Sequence, residues 1–409
     1  MTEKWFGDFK QRINNDKEFS LFLLVGLFMG LAGGIYISIF PNFLHDVYHI
    51  SETQRGFLEI PRESAGLLVV FFVGLMSFLG DIRLARISLL LCFTGVIGLV
   101  LLAPSYASMI IWMFIYSLGQ HVLMPLSSKI GMSLSKTEDF GKRLARFSAY
   151  GLVASIIGAG IVWIGIRLFQ MSYSALFICS AVFYFSAALV MLFMRRDKSE
   201  VKPARFIFRK KYRLYYALCL TNGARKQIFL TFAPWVLITV FGMDAPTLAV
   251  LGIIISILSV GTRTVVGHAI DNLGERKVLT AEAILLIAVC LGYGLSGSFF
   301  DPTTTLIIVA ACYVIDSSMS VVEMARSTYV RKIAVKESDI TATLSAGTSI
   351  DHVISMFIPS LGGILWEATG NYQPVFMIAA GIAVINIVLL SFMKIEKETS
   401  FVKSEKNEN

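Results

Sequence analysis

The sequence is poor in charge. Only 16% of its 409 residues are Asp, Glu, Lys or Arg, where soluble domains carry about 25%. Hydrophobic residues make up 56% of the chain, and the mean hydropathy is +0.70. Those values exclude an ordinary water-soluble globule. Cysteine is sparse as well. Cys92, Cys179, Cys219, Cys290 and Cys312 all lie in apolar runs with no CxxC pair, and they read as small core residues rather than disulfide partners or metal ligands. There is no G-x-x-x-x-G-K-S/T stretch, so there is no P-loop, and no soluble domain to hold one. No nucleophile–base–orienter arrangement stands out, so neither an enzyme nor a cofactor is expected. Alternating segments of about 10 residues, the mark of a membrane β-barrel, are missing. The opening "MTEKWFGDFKQRINNDKEFS" lacks a cleavable signal pattern, so the first span is expected to stay in the membrane.

What the chain does have is long apolar runs, such as "SLLLCFTGVIGLVLLA". About 20 such residues cross a bilayer as a helix. The pattern predicts an all-α integral membrane protein with twelve spans, at 19–45, 54–79, 86–103, 107–134, 145–169, 173–194, 213–241, 246–268, 278–297, 304–329, 340–367 and 373–393. Residues 195–212, "RRDKSEVKPARFIFRKKY", read as a cytoplasmic linker between a six-helix half at 1–194 and a second at 213–394, with a cytoplasmic tail at 395–409. Lysine and arginine collect in every second connection: Lys4 to Lys17, Arg83 and Arg86, Lys136 to Arg143, the linker, Arg276 and Lys277, Arg331 to Lys336, and Lys394 with Lys397. The intervening turns, "APSYAS", "FGMDAPT", "GSFFDPTTT" and "ATGNYQ", have none. That bias places both termini in the cytoplasm of a bacterial inner membrane. It also accounts for the net charge of +8 without a nucleic-acid partner, since basic loops lie against anionic lipid.

After the eighth span stands "GHAIDNLGERKVL", in which Gly267, Asp271, Gly274, Arg276 and Lys277 fit G-x-x-x-D-x-x-G-x-R/K-R/K. This resembles the loop signature of the major facilitator superfamily. Gly267 would permit close helix packing, Asp271 would accept from a neighbouring helix end, and Gly274 would allow the tight turn. "SFLGDIRLARISLL" after the second span resembles a degraded copy, with Ser77, Asp81, Arg83 and Arg86 in place and the loop glycine missing unless Ala85 stands for it. The resemblance implies twelve helices in two pseudo-symmetric halves, a monomer, and a midplane cavity lined by spans 1, 4, 7 and 10 with help from 2, 5, 8 and 11. Two departures speak against the drug/proton antiporters of the superfamily. Span 4 has "IYSLGQHVLMP", with Ser117 near the place of their arginine, and span 5 keeps Gly151, Gly158 and Gly160 but lacks their proline. Pro359, Gly362 and Gly363 in span 11 look like a helix-breaking segment of the superfamily.

Polar side chains at membrane depth are costly and mark function or pairing. Span 7 carries Asn222, Arg225, Lys226 and Gln227 near its middle; span 4 carries Gln120 and His121. Asp316, Ser320, Glu323 and Ser327 follow one stripe of span 10, and Thr348, Asp351, His352 and Ser355 one stripe of span 11. In span 2, Glu59, Arg62 and Glu63 share a face, as an interfacial salt bridge, an outer gate or a proton-titrating carboxylate. Spans 3, 6, 9 and 12 read as nearly free of charge, as lipid-facing helices should be.

These observations predict a secondary active transporter working by alternating access and driven by an ion gradient, with protons as the coupling ion. Arg225 and Lys226, with Asn222, Gln227, Gln120, His121, Asp316, Asp351 and His352, would bind a small anionic or amphoteric solute. Glu59, Arg62, Glu63, Glu323, Asp81, Gly267, Asp271, Gly274 and Arg276 would couple or gate. Arg225 and Lys226 also have a bland reading, internal pairing with Asp316, Glu323 or Asp351. Histidine as a residue type titrates near neutrality, which makes His121 and His352 candidate proton carriers. No local ligand motif accompanies Asp316, Asp351, His121 and His352, so no metal site is expected. The alternative is efflux of amphipathic, drug-like or lipid-like compounds through a cavity lined by phenylalanine and methionine.

Overall fold

The computed structural model describes residues 2–134, 140–195 and 209–394. Most of the expected linker and the tail at 395–409 lie outside the described residues, as does Lys136. Among the described residues there is helix and no strand. The α-helices run in chain order as α1 Thr2–Tyr48, α2 Glu52–Phe57, α3 Glu59–Leu75, α4 Asp81–Leu101, α5 Tyr106–Ser133, α6 Phe140–Phe169 and α7 Tyr173–Val190. There follow α8 Arg213–Thr239, α9 Ala245–Leu273, α10 Glu275–Phe299, α11 Pro302–Ser318, α12 Glu323–Ile333, α13 Glu337–Thr369 and α14 Gln373–Ser391.

Ten helical segments among the described residues are long and apolar enough to cross a membrane. The expected spans 2 and 7 are not among them, the first because its helix is divided and the second because of its polar residues. Span 2 is divided into α2 and the 17-residue α3, with Glu59, Arg62 and Glu63 at the join. Span 7 is the continuous 27-residue α8, with Arg225 and Lys226 in its centre.

Local chemistry sets the boundaries. Ser51 caps α2 in a reciprocal capping box with Gln54, and Ser105 does the same for α5 with Ser108. Asp301 accepts from the backbone of Thr303 and Thr304 ahead of Pro302 at the start of α11. Pro41, Pro125, Pro234 and Pro359 sit inside helices, a use of proline that membrane helices tolerate.

The chain divides into two compact units. One comprises Met1–Tyr48, Leu68–Pro203 and Asp244–Ile253; the other comprises His49–Leu67, Ala204–Met243 and Ile254–Asn409. In the first, Tyr36 stacks on Tyr116 with ring centres 3.9 Å apart, and Phe177 packs beside Tyr36 at 5.7 Å. In the second, α2 lies directly on α13. A Cβ on Gly56 would meet the Pro359 carbonyl, and one on Gly363 would meet that of Glu52. Glycine at both positions brings the two backbones together. This contact holds 49–67, which includes the first part of the expected second span, in the same unit as α8 and α13.

Candidate functional site

In the second unit, α8 turns three charged or amide groups to three different neighbours. Arg225 is buried and donates from Nη1 to Asp316 Oδ1 at the end of α11. Its guanidinium also lies 5.3 Å from the ring centre of Phe229, one turn on, a cation–π contact. Its Nε has no hydrogen-bond partner. Lys226 is half-buried and donates to Asp351 Oδ2 on α13 at 2.5 Å. Gln227 is buried and donates to Glu59 Oε2 at 3.0 Å and to Thr231 at 3.5 Å. Asn222 and Lys226 face the same cavity, whereas Arg225 points into packing against α11.

The tenth span is not one continuous helix. A four-residue 3-10 turn, Met319–Val322, separates α11 from α12. Such a turn advances about 120° per residue instead of about 100°, so it shifts the helix phase by about 80°. The expected single stripe through Asp316, Ser320, Glu323 and Ser327 is therefore interrupted. Asp316 stays buried beside Arg225, while Glu323 opens α12, where the helix N-terminus favours a carboxylate. Glu323 Oε2 accepts from Arg326 Nη2 at 2.6 Å, and Arg326 Nη1 reaches Glu282 Oε2 on α10 at 3.4 Å.

Between α8, α12 and α13 lies a cavity of about 200 Å³. The side chains that give it its chemistry are Asn222, Lys226, Glu323, Arg326, Thr348 and Asp351. Two cations and two carboxylates thus line this space. Asn222 is only 6% exposed, and its side chain makes no hydrogen bond among the described residues. Its amide lines the cavity and is left to bond whatever occupies it.

A second chain of charges joins α2 and α3 to α13. Arg55 Nη1 donates to Glu59 Oε1 at 2.6 Å, and Arg62 donates to the other Glu59 oxygen and, at 2.8 Å, to Glu63. Glu63 Oε2 lies 2.8 Å from His352 Nδ1. Glu59 is 1% exposed and therefore fully held by Arg55, Arg62 and Gln227. His352 is next to Asp351 in sequence, so this chain and the cavity meet on one turn of α13.

In the first unit, the expected pair on span 4 has its own network. Gln120 donates to the Tyr184 hydroxyl, which lies 3.1 Å from that of Tyr116. His121 Nδ1 lies 2.8 Å from the Ser117 carbonyl and 3.1 Å from its hydroxyl.

The loop signature is corrected in two respects. A Cβ at Gly267 would meet nothing within 4 Å, so this glycine makes no close helix contact. Asp271 is exposed and, with Arg276 and Lys277, makes no ion pair among the described residues. The buried acid is Glu275, one residue past Gly274, with Lys332 Nζ at 2.7 Å from its Oε1. The other copy has the same construction. Gly80 (φ 78°) precedes Asp81 as Gly274 (φ 82°) precedes Glu275, and Asp81 pairs with Lys129 at 2.9 Å. The loop glycine expected to be missing is Gly80. Matched through the glycines, Asp81 corresponds to Glu275, and Ser77, whose side chain lies outside the described residues, corresponds to Asp271.

Arg326 and Glu282 were missed by sequence reading, and Glu282 contradicts the expectation that span 9 is almost free of buried charge. The i, i+3 spacing of Glu323 and Arg326 was the available signal. Proximity to Arg331 and Lys332 made Arg326 look like part of a basic loop.

The sequence profile of the Major Facilitator Superfamily matches residues 22–338. The chain belongs to that superfamily and is a multi-pass membrane transporter of all-α fold rather than an enzyme. No curated protein matches the sequence. Among solved structures, a mutant of the nucleoside transporter NupG is similar, at 13% identity and a TM-score of 0.74 over 92% of this chain and 99% of that one. A bacterial homologue of the iron transporter ferroportin, in an inward-facing state, is 12% identical with a TM-score of 0.73 over 92% and 98%. The E. coli fucose:proton symporter FucP is 16% identical with a TM-score of 0.56 over 92% and 98%. At these identities the likeness is one of fold.

Proposed function

We propose that this transporter carries a small amphoteric solute by alternating access, with protons as the coupling ion and both termini in the cytoplasm of a bacterial inner membrane. One observation carries the reading: the α8–α12–α13 cavity is lined by two ion pairs, Lys226–Asp351 and Arg326–Glu323, together with Asn222, whose side chain makes no hydrogen bond among the described residues. A solute with both an anionic and a cationic group could exchange partners with these pairs without leaving a charge unpaired, which a purely anionic or cationic solute could not. Efflux of greasy compounds is a poorer match to this lining. Arg225 serves the site indirectly, by holding α8 against α11.

Proton coupling rests on two supports. Glu63 and His352 make a close titratable pair one residue from Asp351, and the similarly folded FucP is described as a proton symporter. The test is a thermal-shift series on purified protein with four probes: an α-amino acid mixture, dicarboxylates, polyamines and hydrophobic cations. Bound ligand raises the unfolding temperature of the native state. The amphoteric probes are expected to raise it, and Lys226→Gln is expected to remove the shift. Stabilisation by hydrophobic cations alone, unchanged in Lys226→Gln, would contradict the proposal.

A further inference from the structure

A larger cavity of the second unit lies elsewhere, at the helix ends. It has a volume of about 860 Å³ and sits where Arg213 opens α8, Lys332 lies near the end of α12, and Lys394 follows α14. Lys210 and Lys211 bring the cations of the lining to five, and no carboxylate among the described residues lines the space. Lys332 is committed to Glu275. Lys210, Lys211, Arg213 and Lys394 have no acidic partner among the described residues. The lining also has apolar side chains, among them Leu214, Leu389 and Phe392, with Phe392 65% exposed.

Four cations around one cavity, without an acidic partner among the described residues, repel one another, and the repulsion is strongest where apolar walls reduce the effective dielectric. A phosphate oxyanion relieves it. A soluble anion would leave Phe392 and Leu389 in contact with water, whereas a lipid covers them with its glycerol and acyl segments. Basic pockets between spanning helices near the membrane surface take anionic headgroups through this combination. We propose that this cavity binds the headgroup of an anionic phospholipid, with its phosphate against Lys210, Lys211, Arg213 and Lys394 and its apolar part along Leu214, Leu389 and Phe392. The site is separate from the solute cavity and does not depend on what solute is carried.

Native mass spectrometry of the purified full chain tests this, with phosphatidylglycerol, phosphatidylcholine or inorganic phosphate added in turn. The wild type should retain phosphatidylglycerol over phosphatidylcholine by roughly tenfold, as expected for several cations near one headgroup. The K210Q/K211Q/R213Q variant should lose that preference, and K142Q/R146Q, which removes two exposed cations elsewhere, should keep it. Lys394→Glu lies beyond α14, where helix formation is not at stake, and should lower the preference on its own. Equal retention of both lipids by the wild type would overturn the proposal, as would an unchanged preference in both cavity variants. Inorganic phosphate that displaces phosphatidylglycerol at equal concentration would show a soluble-anion site and overturn the lipid assignment.

Discussion

Arg225 and Lys226 are adjacent in sequence but have different energetics. Arg225 and Asp316 are a buried pair with side chains 7% and 8% exposed. Removing one partner of such a pair leaves an uncompensated charge and costs about 3–5 kcal/mol, whereas neutralising both is often close to harmless. Arg225→Gln alone is therefore expected to lower the unfolding temperature sharply, and Arg225→Gln with Asp316→Asn to recover most of it. Equal stability of the single and double variants would show that the pair does not hold α8 to α11. Lys226→Gln is expected to fold normally, because Lys226 and Asp351 are 32% and 29% exposed and can exchange their ion pair for water. The charges of span 7 were legible in the sequence because nothing but burial in a polar site or a pair explains them in an apolar run. Which charge does which task was not legible. Helix phase puts Asn222, Arg225 and Lys226 on one broad face, and only the packing of α11 and α13 separates them.

Helix–helix approach and helix breaks are set at the scale of elements. Gly56→Ala would push a methyl group into the Pro359 carbonyl. A backbone atom cannot rotate away, so this substitution should cost about 1–3 kcal/mol. Gly261→Ala, inside α9, meets nothing within 4 Å and should instead stabilise the helix by about 0.5–1 kcal/mol. Unfolding temperatures of the two variants should move in opposite directions, and a shift of the same sign would undo the close-approach account. The spans themselves were readable from apolar length. The break at Met319–Val322 was not, since "MSVV" contains neither proline nor glycine and nothing local announces it. The copy of the loop signature was legible as charge but misaligned by sequence. The feature shared by Gly80 and Gly274 is a positive φ, and only backbone geometry displays it.

On the scale of the whole molecule, ten segments among the described residues are long and apolar enough to span by composition, and the two expected spans that fall short, 2 and 7, carry Glu59, Arg62, Glu63, Arg225 and Lys226. The basic loops fix the proposed orientation. Reporters fused after Lys142, within 198–210 or after Lys336 should report cytoplasmic, and one within "FGMDAPT" should report the other side. Opposite results at two or more sites would contradict the topology. The superfamily was legible from one loop motif and the span count. The solute was not, because the cavity proposed for it brings α8 together with α12 and α13, more than 80 residues further along the chain, and one of its cations, Arg326, looked like a loop residue.

The central claim is coupled transport of an amphoteric solute through the cavity that Lys226 lines. Its most direct test is proton flux into proteoliposomes, read with an internal pH-sensitive dye, when gradients of α-amino acids, dicarboxylates, polyamines or hydrophobic cations are imposed. The account predicts proton flux driven by an amphoteric solute in the wild type and its loss in Lys226→Gln at unchanged folding. Flux driven equally by hydrophobic cations, or undiminished in Lys226→Gln, would contradict it.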